Sequence, residues 1–362
     1  MPEKTQVTKT YLPDKLEYLE YIDKIWESGW LTNNGSLSTE LENKLKHFLK
    51  VPHLKFVSSG TTALQLVINA FELSGEIITT PYSYVATTSA ILWQNCKPVF
   101  VDIGTNSFNI DVSLIEEKIT SETSAILATH VYGIPCAVEE IELLAKKHDL
   151  KVIYDAAHCF GVELNGKSIF EYGDASICSF HSTKIFHTVE GGAVISKTEE
   201  IDKKIFLNRA FGHIGDIHSA LGINGKNSEF HAAMGLCNLP KIQDRILRRK
   251  EIFDNYSSQL EALPLNLLKL EKNINYNYSY FPVVFSSNKE MNKVKNSLEN
   301  NNIYPRRYFF PSLNNIDYLE YQPCPRSESI AEKVLCLPYY DGLDDSTLKT
   351  ICEIVKKEIT DD

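Results

Sequence analysis

Lys184 lies in the stretch SFHSTKIFHTVEGGAVIS (179–196), on the connection between the apolar run ASICSF (175–180) and a second apolar run behind Gly191 and Gly192. A lone lysine on a loop ordinarily faces water. A desolvated one has a lowered pKa and is a nucleophilic amine able to form a Schiff base. Three further places follow apolar runs with residues that could do chemistry. Asp155 ends KVIYDAAHCFG (151–161), with His158 three residues later. A buried acid there needs a cationic partner or strong donors to stay ionised, and a protonated ring nitrogen would serve; a turn-capping aspartate beside a satisfied core histidine reads equally well. FVSSGTTALQLVINAF (56–71) sets Ser58, Ser59, Gly60, Thr61 and Thr62 before an apolar-periodic helix. Free N–H groups and the positive end of the helix dipole meet at such a start and suit a phosphate, although a plain Ser/Thr cap looks the same in isolation. PYSYVATTSA (81–90) offers Tyr84 at a helix entry, where its ring could lie on a planar cofactor or simply pack.

Together these places make a phosphate seat, a stacking aromatic, an acid for a ring nitrogen and a lysine. Pyridoxal 5'-phosphate needs all four, since the phosphate anchors it, the acid keeps the ring an electron sink and the lysine holds its aldehyde. The conjunction carries more than any one member.

The elements that must position them are readable. Strand-length apolar runs EIITT (76–80), PVFVDI (98–103), SAILATH (124–130), KVIYDAA (151–157) and ASICSF alternate with helical patterns such as CAVEEIELLAKKHD (136–149), the order of a mainly parallel α/β sheet. In such a sheet ligands gather at the carboxyl ends of strands. After Gly222 a long helical pattern is interrupted near Pro240. From about Asn273 the order becomes strand (SYFPVVF), helix (KEMNKVKNSLENN), a Pro-rich loop and a last helix (DDSTLKTICEIVKKEI). This predicts a large α/β/α domain over 1–240, and a linker helix with a small α+β domain over 241–362.

A net charge of -10 without a sustained Lys/Arg run argues against a nucleic-acid surface. No window approaches the apolar length of a membrane span and the N-terminal stretch lacks a signal-peptide core, so a cytoplasmic protein is expected. Eight cysteines without a CxxC pair read as reduced, core-packed thiols.

Through WLTNNG, SSGTTAL, PYSYVAT, VFVDI, HVYG, YDAAHCFG, SFHSTK, EGGAVIS, GINGKNSEFHAAMGL and LPYYDGL, the sequence resembles the DegT/StrS sugar-nucleotide aminotransferases, fold type I pyridoxal-phosphate enzymes. The resemblance implies Lys184 as the lysine that holds the cofactor aldehyde and moves the proton. It places Asp155 on the pyridine nitrogen and His158 by the 3-hydroxyl, where many relatives have glutamine. Ser179, Gly60, Thr61 and Thr62 would hold the phosphate and Tyr84 would stack on the ring. Asn224 matches a position that reaches a neighbouring subunit's cofactor, which implies a homodimer with shared sites. Relatives that replace the lysine with histidine are dehydratases; this chain keeps lysine, which favours transamination. The implied partners are L-glutamate and a nucleotide-linked keto sugar. WLTNNG and GINGKNSEF look most like the viosamine-forming branch, which aminates C4 of dTDP-4-dehydro-6-deoxyglucose. A dTDP-3-keto-6-deoxyhexose and a GDP- or UDP-linked 4-keto sugar are the alternatives. Thr32, His181, Arg306, Arg307 and Tyr308 are candidates for the sugar or its diphosphate.

Two other classes fit the sequence less well. A regulator retaining the fold would be expected to carry a DNA-binding extension. A hydrolase using a metal on His130, Asp155, His158 and His181 lacks a compact ligand motif, so no metal is expected.

Overall fold

Seven apolar runs assemble into one sheet in the computed structural model, which describes residues 4–360; residues 1–3 and 361–362, at the outer ends of the two expected domains, lie outside it. The strands are β1 (Leu54–Val57), β2 (Glu76–Thr79), β3 (Lys97–Phe100), β4 (Thr123–Thr129), β5 (Lys151–Asp155), β6 (Ala175–Ser179) and β7 (Gly192–Ser196). Their spatial order is β1-β7-β6-β5-β4-β2-β3, parallel throughout except for β7, which is antiparallel to both neighbours.

Both faces of this sheet are covered, which is why its strands read as continuous apolar runs. Along β4, Ala125 and Leu127 join one core while Ile126 and Ala128 join the other, following the two-residue period of a strand. The Leu127 side packs on α3 (Gly60–Ala70), α4 (Val85–Trp93) and α6 (Glu199–Asn208). The Ile126 side packs on α2 (Ser36–Leu49), α5 (Val138–Lys147) and α7 (Glu229–Asn238), with α1 (Lys15–Ser28) set against α7 through Trp26 and Phe230.

From α7 a single turn through Pro240 leads into α8 (Ile242–Leu260). Ile242 still belongs to a sheet core, whereas Ile252, Phe253, Tyr256 and Leu260 enter a separate one. That second core is closed by α9 (Asn288–Asn300), α11 (Asp345–Thr360) and an antiparallel sheet of β8 (Asn266–Leu267), β9 (Pro282–Val284) and β10 (Val334–Cys336). The strand expected over SYFPVVF is confined to β9, because the preceding Ser279 and Asn277 turn their side chains to the His158 carbonyl. Within the Pro-rich segment a helix forms that the pattern did not suggest, α10 (Pro325–Lys333), with Pro325 in its first turn. All eight cysteines are free and buried. Among the described residues no helix is long and apolar enough to cross a membrane.

Candidate active site

The carboxyl ends of β5 and β6 lie side by side, and they carry Asp155 and Ser179. Asp155 is buried. Thr87 in the first turn of α4 donates its hydroxyl proton to Oδ2 at 2.6 Å, and the Ala157 N–H donates to Oδ1 at 3.2 Å. Burial pushes the carboxyl above its ordinary pKa; Thr87, Ala157 and the nearby Lys184 draw it back only in part. This acid is built to face a positive charge that the surrounding protein supplies incompletely.

Lys184 supplies part of it. The loop that carries it is closed at its base, where the Phe180 N–H donates to the Gly191 carbonyl and the Thr188 N–H to the Phe180 carbonyl. Nζ donates to Tyr280 Oη at 3.2 Å. Burial holds the amine below its ordinary pKa against the opposing effect of Tyr308 and Asp155. His158 is buried beside it, with Nδ1 accepting the Tyr132 N–H at 3.2 Å, so Nε2 is the nitrogen that carries the proton of the neutral ring. Burial, reinforced by Lys184, keeps this imidazole well below its usual pKa and hence neutral.

The start of α3 lies against Ser179. Ser59 caps the helix by accepting the Thr62 N–H at 3.0 Å, and Ser58 donates to Thr62 Oγ1 at 3.1 Å. The N–H groups of Gly60 and Thr61 are among those a helix cannot satisfy internally. At Gly60 the approach is close, since a Cβ there would lie 3.1 Å from Ser179 Cβ, which would have to give by a few tenths of an ångström. Glycine is required at Gly192, whose Cβ would fall 2.6 Å from the Ser59 carbonyl carbon, a backbone atom. Tyr84, the N-cap residue of α4, is 58% exposed, which leaves it open to a planar group laid against it. A narrow cleft beside Lys184 is lined by Thr8, Ala157, His158, Ser179, Lys184 and Tyr280 among others.

This donor set fits pyridoxal 5'-phosphate. A helix start with hydroxyls and a missing Cβ suits the dianion, the under-compensated Asp155 suits a protonated pyridine nitrogen, and the low-pKa amine suits the aldehyde.

The remaining candidates are more dispersed. Tyr308 comes to the Lys184 neighbourhood, its ring centroid 5.7 Å from that of Tyr280. Arg306 is exposed, with its guanidinium over the Tyr308 ring. Arg307 turns toward α10, stacked 3.4 Å over Phe310 and donating to the Ala331 carbonyl at 3.1 Å. His181 bonds Thr183 and faces Glu190. Exposed Thr32 donates to the Asn227 carbonyl, and exposed Asn224 accepts from Lys226 beside Gly225, whose carbonyl takes the Ser58 N–H. Of the histidines in the metal alternative, His130 is stacked on Tyr154 and accepts the Cys136 N–H through Nδ1. Among the described residues no group of three or more His, Cys, Asp or Glu is placed to hold a metal ion.

Sequence reasoning did not single out Thr87 and Tyr280. Thr87 stood inside the quoted PYSYVATTSA, yet nothing distinguished it from Thr88, which is equally buried. Tyr280 lay in an expected strand with no feature marking it as a partner of a residue 96 positions earlier.

The profile of the DegT/DnrJ/EryC1/StrS aminotransferase family matches residues 14–356. The chain is 41% identical to the Escherichia coli dTDP-4-amino-4,6-dideoxy-D-glucose transaminase, covering 98% of this chain and 99% of that one. It is 31% identical to the GDP-perosamine synthase of Escherichia coli O157:H7, over 94% of this chain and 95% of the relative. Among solved structures, DesI in the presence of its TDP-sugar product superposes with a TM-score of 0.94 at 28% identity, covering 100% of this chain and 94% of DesI.

Proposed function

Because this chain belongs to the DegT/DnrJ/EryC1/StrS aminotransferase family, we propose that it transfers an amino group from L-glutamate to C4 of dTDP-4-dehydro-6-deoxy-D-glucose, giving dTDP-4-amino-4,6-dideoxy-D-glucose. The observation that carries the substrate is the 41% identity to a transaminase of that name over nearly the whole of both chains.

Pyridoxal 5'-phosphate, when bound, supplies an electron sink for the charge that develops at the donor's α carbon. Gly60, Thr61, Thr62 and Ser179 would hold its phosphate and Tyr84 would cover its ring. Asp155 would meet the ring nitrogen, whose positive charge would offset the burial that raises its pKa, and neutral His158 would offer Nε2–H to the 3-hydroxyl. Lys184, desolvated and therefore a free base over a wider pH range, would take the donor's α proton onto Nζ and hold it for return. The same proton transfer run in reverse serves the sugar, so the two substrates use one site in turn, with ping-pong kinetics.

Tyr308, Arg306, Thr32 and His181 form the set from which sugar and diphosphate contacts come, and Arg307 stiffens that loop from behind. A homodimer would complete the site, with Asn224, here accepting from Lys226, reaching the partner's cofactor phosphate. The large apolar side chains left exposed on α1 and just after it, Leu16, Trp26, Trp30 and Leu31, favour a second copy as their cover. The product is a deoxyamino sugar made in the cytoplasm for a surface glycan of the O-antigen kind.

The test is to mix the protein with cofactor, L-glutamate and dTDP-4-dehydro-6-deoxyglucose, follow 2-oxoglutarate, and identify the sugar by NMR. An equatorial 4-amino group is expected. Turnover confined to a 3-keto or a GDP-linked sugar would move the assignment toward the transaminases of those substrates that are also similar to this chain.

A further inference from the structure

Tyr280 brings a phenol to the Lys184 amine from a distant part of the chain, with Nζ donating to Oη across 3.2 Å. Its ring is held on three sides, with centroids 4.7 Å from His158, 5.6 Å from Tyr132 and 5.7 Å from Tyr308. The backbone before it is tied down as well. Ser279 Oγ donates to the His158 carbonyl at 3.1 Å, and the Asn277 amide donates to the carbonyls of His158 and Phe160 at 2.8 and 2.9 Å. The phenol is therefore fixed to the loop that follows Asp155 at the end of β5, and its position relative to that acid is set by the fold.

We propose that Tyr280 is a positioning residue for Lys184: its oxygen accepts one N–H of the amine in both charge states, and so turns the nitrogen lone pair toward the carbon that loses its proton. The inference rests on the role given to Lys184 above. Two conditions favour it. Burial keeps the phenol well above its ordinary pKa, so it is a neutral acceptor and not a phenolate that would pin the lysine as an ion pair. The other groups that face the amine act through space: Tyr308, Asp155, Cys178 and Tyr84, with His158 and Cys159 from the loop after β5. A base that alternates between amine and ammonium at one place needs a bonded acceptor to keep its direction, since a lysine side chain is otherwise free to rotate.

Tyr280→Phe keeps the ring and removes the oxygen. In the cofactor-free chain, acetylation of Lys184 by acetic anhydride is followed across pH by mass spectrometry of its peptide. The midpoint is expected to fall by about one pH unit, because the ammonium form loses an acceptor. In the loaded enzyme kcat is expected to fall about tenfold with KM little changed and a larger isotope effect from α-deuterated glutamate. An unchanged midpoint overturns the proposal whatever kcat does. If Tyr280→Phe does not fold, fluorotyrosine at position 280 retains ring and hydroxyl but weakens the oxygen as an acceptor; a smaller shift in the same direction is expected, and none overturns the proposal. A wild-type chain that shows no visible cofactor band would instead overturn the reading of Lys184, so the two failures are distinguishable.

Discussion

Thr87 donates its hydroxyl proton to Oδ2 of Asp155 across 2.6 Å, joining the first turn of α4 to the carboxyl end of β5. The bond aims the carboxylate without neutralising it. Ser83 stands behind Thr87, the two hydroxyls 2.8 Å apart, so the chain of donors runs back into α4's own entry and away from the cleft. Asp155 thus keeps a raised pKa in the protein alone.

That arrangement predicts a conflict between stability and activity. A carboxyl whose folded pKa is raised contributes most stability below its unfolded value of about 3.9, and loses that contribution as pH rises through the folded value. At neutral pH the cofactor-free fold therefore bears a buried, under-compensated charge. Asp155→Asn is expected to raise the Tm of the cofactor-free protein at pH 7 by about 2 °C, with the gain shrinking toward pH 4, while turnover falls about 100-fold or more. Calorimetry at the two pH values and an assay of the loaded enzyme check both halves; a lower Tm at pH 7 would contradict the charge argument.

Lys184→Ala leaves the cavity and its phosphate seat in place but removes the amine. Turnover is expected to fall by about 10⁴-fold or more, with loss of the absorption band of the lysine-bound cofactor, while noncovalent cofactor binding measured by calorimetry persists. Full activity in this variant would end the assignment of the base.

The legible part of the site was the part that local rules control. Lys184, Asp155 and Ser179 follow apolar runs with strand periodicity, and the carboxyl ends of parallel strands converge; the Ser59 cap and Gly60 announce a helix start in the sequence itself. The sheet followed from the same alternation. Tyr280 was not legible because its contact with Lys184 depends on how the chain returns after α8, a non-local fact that no periodicity encodes. α10 was missed because a Pro-rich approach reads as loop, although proline at a helix start is well tolerated. Arg306 and Arg307 were alike in sequence, and only packing separates an exposed guanidinium over Tyr308 from one stacked on Phe310.

Gly192→Ala tests the closeness of β7 to the start of α3. Its Cβ would fall 2.6 Å from the Ser59 carbonyl carbon, which is backbone and cannot rotate aside. The expected result is a loss of about 1–3 kcal/mol in stability together with weaker cofactor binding, because Ser59 and Gly60 must move. Gly60→Ala, meeting a Ser179 side chain at 3.1 Å, is expected to weaken cofactor binding with a smaller effect on Tm. Equal cofactor Kd values for wild type and both variants would place the phosphate elsewhere.

Asp341 lies under two guanidiniums at the junction of α8 with the segment leading to α11. Arg249 Nε donates to Oδ1 at 2.8 Å and Arg245 Nε to Oδ2, while Arg245 also covers the Tyr11 ring at 4.3 Å. The Tyr11 carbonyl in turn bonds His187 Nε2 at 2.7 Å, so one carboxylate connects the N-terminal segment, α8 and the loop of Lys184. Burial alone would raise the Asp341 pKa, but Arg249 and Arg245 outweigh it and the net shift is downward. A carboxyl with a depressed folded pKa contributes stability above its unfolded value of about 3.9 and loses it as pH falls through the folded value. Asp341→Asn leaves both arginines buried and short of a counter-charge, and is expected to cost about 3 kcal/mol at pH 7. The gap to wild type should begin to narrow as pH drops below about 4, where the unfolded carboxyl takes up its proton, and close only below the lower folded value. Denaturant titration at pH 7 and pH 3.5 measures this, and hydrogen exchange over residues 180–191 should quicken in the variant, since the His187 anchor loosens with Tyr11. A gap that stays constant across that range would mean that Asp341 acts through packing and not through charge.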